Sequence, residues 1–185
     1  MLRLLLFAVL LLMGLSSCQK DEPIDDPNLL HYDGENATGP LLQAGIHELA
    51  VRFTPFETEK FKGRNLEKVR FFMGQKPEKV ELIIYGPGSS TKPGAELYAV
   101  DMTNSIQTPA WNEHTLSQVI PITGEDLWIS ILVSHAVTQQ SLGCDAGPNI
   151  QNGDWLYQAV DQQWRSYRQR TNESVNWNIR GVVAE

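Results

Sequence analysis

The segment LWISILVSH, from Leu127 to His135, is the most strongly patterned part of the chain and decides its fold. Every second residue from Leu127 to Val133 is apolar, which gives an extended strand one continuous apolar face. Trp128 and Leu132 cover much of the opposite face. Because a strand with packing on both faces lies inside its sheet, we predict that this one is central.

Apolar alternation continues on both sides of this segment. It predicts a short strand at 30–33 and further strands at 46–53, 66–73, 79–85, 96–102, 111–116, 119–122, 154–160, 164–167 and 175–184. One short helix is predicted at 56–61, with Thr54 as its N-cap, Pro55 at its first position and Gly63 at its end. Many short strands separated by turn residues favour an all-β fold, an antiparallel β-sandwich with one short helix.

The N-terminus has the pattern of an export signal. Arg3 precedes an apolar run from Leu4 to Met13, which is too short to span ~30 Å of hydrocarbon. The sequence Leu15-Ser16-Ser17-Cys18 resembles a bacterial lipobox, in which the cysteine is diacylated on sulfur and acylated again, for example with palmitate, at the new N-terminus. The alternative is an ordinary signal followed by a chance cysteine. We predict a lipoprotein signal peptide at 1–17, lipid on Cys18, a tether at 18–29 and one domain at 30–185.

The residues after Cys18 predict a location. Gln19-Lys20-Asp21-Glu22 resembles the short charged export signal of surface lipoproteins in the Bacteroidota, although it also fits the acidic start of a linker. Two or three acyl chains give stable membrane anchoring. The expected location is therefore the outer membrane, with the protein lipid-anchored and surface-exposed.

Charge and cysteine content narrow the possible partners. The net charge is −7 and no stretch is basic, which argues against nucleic acid as a partner. The chain has two cysteines, Cys18 and Cys144. If Cys18 carries lipid, Cys144 has no disulfide partner, and we predict that it is buried as a small apolar residue. A nucleophilic role would need a base, and no histidine is near it in the sequence.

No catalytic constellation is evident, so we assign no catalytic residue and expect a protein that is not an enzyme. The four histidines, His31, His47, His114 and His135, lack the spacing of a zinc site. There is no Gly-x-Ser-x-Gly motif. Acids such as Glu113, Glu125 and Asp126 are not placed together by the sequence, as glycoside hydrolysis would require. A hydrolase with an unrecognised site, or an accessory subunit of one, stays the alternative.

Two kinds of binding site are predicted. Acids in glycine-rich loops offer the oxygen ligands that Ca²⁺ prefers, although such residues also form Asx turns; they are Asp33, Glu35, Asp145 and Asp154. Aromatic rings and amides that suit a glycan follow in the last third of the chain: Trp155, Tyr157, Trp164, Asn149 and Asn152. The alternative for the two tryptophans is a place in the core.

Several motifs, in order along 30–185, resemble a known module. They are Ala50-Val51-Arg52-Phe53-Thr54-Pro55, Leu66-Glu67-Lys68-Val69-Arg70-Phe71, Leu127-Trp128-Ile129, Gly143-Cys144-Asp145-Ala146-Gly147-Pro148 with Gly153-Asp154-Trp155, and Asn176-Trp177-Asn178-Ile179-Arg180-Gly181. Together they are similar to the jelly-roll β-sandwich of Bacteroidota surface proteins, a module appended to secreted peptidases and adhesins. The resemblance implies a jelly roll, strengthens the prediction of a structural calcium ion, and implies a non-catalytic role in binding or adhesion, with a glycan or protein partner held by loops at one end of the sandwich.

Overall fold

The structure is a computed structural model that describes residues 26–185. The predicted signal peptide, Cys18 and most of the predicted tether lie outside these residues. Within the part that is described, no helix is long and apolar enough to cross a membrane. The first strand begins at Leu29, the last residue of the predicted tether.

Ten strands and two short helices make up the described chain. The strands are β1 Leu29–Leu30, β2 Gly45–Phe53, β3 Asn65–Met73, β4 Lys79–Tyr85, β5 Glu96–Asp101, β6 Ala110–Pro121, β7 Leu127–His135, β8 Trp155–Gln158, β9 Gln163–Ser166 and β10 Ile179–Val183. The helices are α1 Pro55–Thr58, which continues into a 3-10 turn at Glu59–Phe61, and α2 Tyr167–Thr171.

The strands form two antiparallel sheets. A four-stranded sheet has the order β1-β10-β3-β6, and a six-stranded sheet has the order β5-β4-β7-β2-β8-β9. The predicted all-β sandwich is thereby confirmed. Strand β7, which contains the segment LWISILVSH, lies between β4 and β2 inside the larger sheet, as its two covered faces indicated.

The core lies between the two sheets and is built from the alternating apolar residues. The residues Leu49, Val51 and Phe53 of β2 face it, as do Ile129 and Ile131 of β7, and all five have no exposed surface. Each such burial contributes roughly 1.5–3 kcal/mol relative to an exposed side chain. The core therefore holds both sheets in place and leaves their outer faces available for other uses.

Helix α1 has the predicted cap, with Thr54 and Glu57 forming a capping box. Three other details differ from the sequence prediction. A second capping box, from Ser166 and Gln169, starts α2 at the end of a predicted strand. The strands predicted at 111–116 and 119–122 form the single strand β6, whose ladder with β3 has an irregularity between Leu66 and Lys68. The last strand begins only at Ile179, because the polar side chains before it bind loop residues, as described below.

Candidate functional site

The outer face of the six-stranded sheet carries an aromatic group that we call the aromatic face: Tyr85, Trp128, Trp155, Tyr157 and Trp164. Strand register places these residues together. Tyr85 pairs with Trp128 across β4 and β7, and Tyr157 pairs with Trp164 across β8 and β9. Trp155 lies opposite Ala50, whose small side chain leaves room for the neighbouring rings. Strands β8 and β9, which carry three of these five residues, form the predicted hairpin.

Trp128 is at the centre of the aromatic face. It has no exposed surface, and its ring centroid lies 5.4 Å from that of Trp155 and 5.9 Å from that of Trp164. The Arg52 guanidinium lies 5.9 Å from the centre of the Trp128 ring and forms an ion pair with Asp126 at 2.7 Å. These contacts make a second small core outside the sandwich, which fixes the positions of the more exposed rings.

The predicted tryptophans therefore have different environments. Trp155 is buried, with 9% of its surface exposed, but it packs on the outer face and not between the sheets. Trp164 and Tyr157 are only partly buried, and their ring centroids are 5.6 Å apart. Tyr157 and Trp164 are thus the predicted ring residues that combine exposure with a fixed position.

Glu48 lies beside these rings, and its role is not evident from the sequence. It occupies the outer face of β2, opposite Tyr157 on β8 and Leu132 on β7. Although only 7% of Glu48 is exposed, its Oε1 accepts hydrogen bonds from two neutral hydroxyls, those of Tyr85 at 2.7 Å and Ser130 at 2.6 Å. Burial raises the pKa of Glu48 above its usual range, and it raises the pKa of Tyr85 as well.

A sequence signal for Glu48 exists but is weak. A glutamate that occurs within the apolar strand segment 46–53 indicates an outward or partnered position. Its partners Tyr85 and Ser130 lie 37 and 82 residues away, so only the strand order brings them together.

The two predicted asparagines stabilise the loop between β7 and β8. The Asn149 Nδ2 donates a hydrogen bond to the Val175 carbonyl at 3.0 Å. Asn152 accepts a hydrogen bond from the Trp155 indole at 3.4 Å and has a φ of 77°, in the left-handed region that asparagine tolerates. Of the five predicted ligand residues, the structure brings together the three aromatic ones and Asn152, which binds the Trp155 indole.

Two of the predicted calcium ligands belong to a group that we call the polar cluster: Asp33, Asp145, Asn176, Asn178 and Arg180. Asp33 forms an ion pair with Arg180 at 2.8 Å and accepts a hydrogen bond from Asn178 at 2.8 Å. Asp145 accepts hydrogen bonds from the backbone and side-chain nitrogens of Asn176 at 2.7 and 2.8 Å. The protein's own donors thus occupy these carboxylates.

Further donors to Asp145 come from glycines on two loops. The Gly34 nitrogen donates at 3.0 Å, and the Gly147 nitrogen donates at 2.9 Å in an Asx turn. The cluster therefore ties the loop after β1, the loop after β7 and the chain before β10 to one another. This role explains why residues 175–178 do not continue the last strand.

The other two predicted calcium ligands have different surroundings. Asp154 is buried and accepts a hydrogen bond from the Arg168 nitrogen at 2.9 Å, at the start of α2, and burial raises its pKa. Glu35 is exposed. Among residues 26–185, no three or more histidine, cysteine or acidic side chains form a group suited to a metal ion. Calcium binding stays a prediction from the sequence.

Cys144 is buried, with 2% of its surface exposed, and is a free thiol. Burial raises the pKa of this thiol to about 12. A thiol with such a pKa is protonated near neutral pH and is a poor nucleophile, which agrees with the predicted packing role.

Comparisons with known proteins show the fold. No protein-family model matches the chain, and no curated protein matches it. A solved chain of a clostridial cysteine protease, Cwp84 after propeptide cleavage, has a TM-score of 0.57 at 14% identity, over 88% of this chain and 41% of that one. A structure of the cysteine protease and lectin-like domains of Cwp84, a surface layer associated protein of Clostridium difficile, has a TM-score of 0.50 at 11% identity, over 88% and 37%.

The similarity concerns part of a larger protein. This chain spans about two fifths of the solved chains that it matches. It is similar in fold to the lectin-like domain of a surface-associated protein, and this agrees with the β-sandwich inferred from its strands. The lipid anchor, the outer membrane and the bacterial group stay predictions from the sequence.

Proposed function

We propose that this chain is a non-catalytic, surface-displayed binding module that holds a glycan on the aromatic face. The observation that carries the proposal is the pair formed by Tyr157 and Trp164, two partly exposed rings at 5.6 Å on the outer face of the six-stranded sheet. The proposed site is thus on a sheet face, whereas the resemblance in sequence implied loops at one end of the sandwich.

Aromatic rings suit a glycan because their flat faces contact the C–H groups of a sugar while hydroxyls at the edge of the sugar reach polar groups. Trp128 and Trp155 pack against Trp164, which in turn contacts Tyr157, so buried neighbours support the exposed pair. A fixed surface loses little conformational entropy when a ligand binds, which favours affinity. Glu48 adds a hydrogen-bond acceptor within the same face.

Display on a surface agrees with two independent features. The lipobox-like Leu15-Ser16-Ser17-Cys18 predicts attachment through lipid on Cys18. The fold neighbours belong to a surface layer associated protein that contains a lectin-like domain. We therefore propose an outer-membrane lipoprotein that presents the aromatic face to glycans outside the cell.

A glycan array probed with the full chain tests this proposal, followed by titration of the strongest ligand. We expect Trp164→Ala to weaken binding at least tenfold, because it removes half of the exposed ring pair. The control is Phe56→Ala, which removes a ring that is 90% exposed on α1 and is not part of the aromatic face, and should leave affinity unchanged. Absence of any bound glycan would overturn the proposal, and so would equal affinity of the Trp164 variant. Release of reducing ends from a bound glycan would instead indicate the hydrolase.

A further inference from the structure

We infer that the aromatic face selects glycans that carry a free, protonated amino group, and that the Glu48 carboxylate is the residue that recognises this group. The inference rests on the proposed function, because it specifies the ligand chemistry of the same site. Four observations carry it: the unused acceptor of Glu48, the neutrality of its protein partners, the acidic surroundings, and the adjacent rings.

Glu48 has a hydrogen-bond acceptor that the protein does not use. Both of its donors, the Tyr85 and Ser130 hydroxyls, bind Oε1. Among residues 26–185, no group donates to Oε2, and this atom is not among the fully buried polar atoms that lack a partner. The second oxygen is therefore without a partner among these residues and not fully buried, which leaves it open to a ligand bound on the aromatic face.

The partners of Glu48 do not compensate its charge. Hydroxyl donors stabilise a carboxylate by hydrogen bonding, but they carry no positive charge. Glu48, with 7% of its surface exposed, is thus a buried carboxylate without a cationic partner in the described chain. The basic residues nearby have other acidic partners: Arg52 pairs with Asp126, and Lys79 pairs with Glu81. A cationic ligand would supply the missing charge and a charge-assisted hydrogen bond, which is about twice as strong as a neutral one.

The charges facing Glu48 have the same sign as its own. Glu81 on β4 and Glu96 on β5 both act on it electrostatically and disfavour its ionised form. Tyr85 on β4 and Tyr157 on β8 contribute no positive charge. This arrangement repels anionic sugars such as sialic acids and attracts cations.

The exposed rings favour the same class of ligand. Tyr157 lies directly opposite Glu48 in the β2–β8 ladder, and Trp164 lies opposite Tyr157 in the β8–β9 ladder. The face of an aromatic ring attracts an ammonium group placed over it. A sugar that stacks on Tyr157 can therefore present an amino group to the ring and to the Glu48 carboxylate at the same time.

A matched pair of oligosaccharides tests the inference: β-1,4-linked glucosamine oligomers with free amines, and the same oligomers fully N-acetylated. We expect the full chain to bind the amine form at least tenfold more tightly. Glu48→Gln keeps the shape and an acceptor for Tyr85 and Ser130, and should weaken amine binding at least tenfold while changing binding of the acetylated form less than twofold. Glu67→Gln, an exposed acid on β3 of the other sheet, removes the same charge from the protein and should change neither.

The outcomes separate this inference from the proposed function. Equal binding of both oligomers, with no effect of Glu48→Gln but a loss in Trp164→Ala, would overturn the amine preference and leave the glycan module intact. Absence of binding to either oligomer would overturn the amine preference. If Glu48→Gln does not fold, ionic strength serves as the second measurement on the unmodified chain: added salt should weaken binding of the amine form and spare the acetylated form. Equal salt dependence of the two oligomers would also contradict the inference.

Discussion

Asp33 and Glu48 are both buried carboxylates, and their surroundings are opposite in kind. Asp33 lies in the polar cluster, where Arg180 and Asn178 supply a full charge and an amide donor. Glu48 lies on the aromatic face, where two neutral hydroxyls share one of its oxygens and the other is unused. A compensated carboxylate holds loops together, whereas an uncompensated one costs stability and is available to a ligand. In the proposed function, Asp33 is thus a structural acid and Glu48 a recognition acid within the same fold.

The largest expected effect is the loss of the charge that compensates Asp33. Arg180→Met should lower the free energy of unfolding by about 3–5 kcal/mol, because it leaves Asp33 buried without its ion-pair partner. Methionine retains much of the volume that now stacks on Trp111, 4.1 Å from the guanidinium. Urea denaturation measures the effect.

Lys62→Met is the control for this prediction, because Lys62 and Glu59 form an exposed ion pair. We expect it to change stability by less than about 0.5 kcal/mol. If the two variants lose similar amounts, the polar cluster does not hold the loops as described.

The second prediction concerns the donors that converge on Asp145. Asp145→Ala removes the acceptor of the Gly34, Gly147 and Asn176 nitrogens. We expect a loss of about 3 kcal/mol, since each buried donor left without a partner costs about 1–3 kcal/mol and solvent can reach part of the site. Asp145→Asn keeps one acceptor oxygen and should lose less. Hydrogen exchange should show faster exchange of the Gly34 and Asn176 amides, and unchanged protection at both would contradict the assignment.

The third prediction is that Glu48→Gln stabilises the protein near neutral pH by about 1 kcal/mol, in contrast to the losses expected in the polar cluster. The pKa of Glu48 is raised in the folded state, so that state binds the proton more readily than the unfolded chain does. The wild type therefore loses stability as pH rises from the unfolded pKa of about 4.3 through the folded pKa.

The difference between variant and wild type tests this sign. It should be largest at neutral pH and shrink toward zero as the pH falls below about 4. Urea midpoints of both proteins over a pH series provide the measurement, and subtraction removes the contribution of other acids such as Asp154. A difference that does not vary with pH would show that folding does not raise the pKa of Glu48.

The smallest expected effect is that of calcium. Because N–H donors from the protein already bind Asp33, Asp145 and Asp154, we expect neither chelator nor added Ca²⁺ to shift the melting temperature measurably. A clear rise in melting temperature with Ca²⁺ would instead support the calcium site predicted from the sequence.

The sequence predicts the strands well because burial on one face imposes a period of two. It places β7 at the centre of a sheet and finds the hairpin that carries Trp155 and Trp164. It does not predict which face of that hairpin is inside, because both sides of β8 and β7 carry large apolar residues, and either face could pack in the core. The structure resolves this by placing Leu156 between the sheets and Trp155 outside.

The site is harder to predict than the strands, because its residues come from distant parts of the sequence. Glu48 needs Tyr85 and Ser130, and these meet it only because β4, β7 and β2 are neighbours in the sheet. The same holds for Asp145 and Asn176, which lie 31 residues apart. Local patterns show that aspartates in glycine-rich loops need donors, but they do not show whether backbone nitrogens or a metal ion will supply the partner.

The hairpin of β8 and β9 forms one edge of the six-stranded sheet and carries both exposed rings. The hairpin joins the rest of the sheet only through the pairing of β8 with β2. Substitutions at its outward positions therefore leave the pairing of β2, β7 and β4 unchanged. The proposed ring contacts therefore lie on an edge hairpin, whereas Glu48 lies on β2, a strand inside the sheet. If the aromatic face binds a glycan as proposed, random mutagenesis confined to the outward positions of 155–166 would vary the ring contacts while Glu48 and the central strands stay constant, with Trp155 kept as the support for its neighbours.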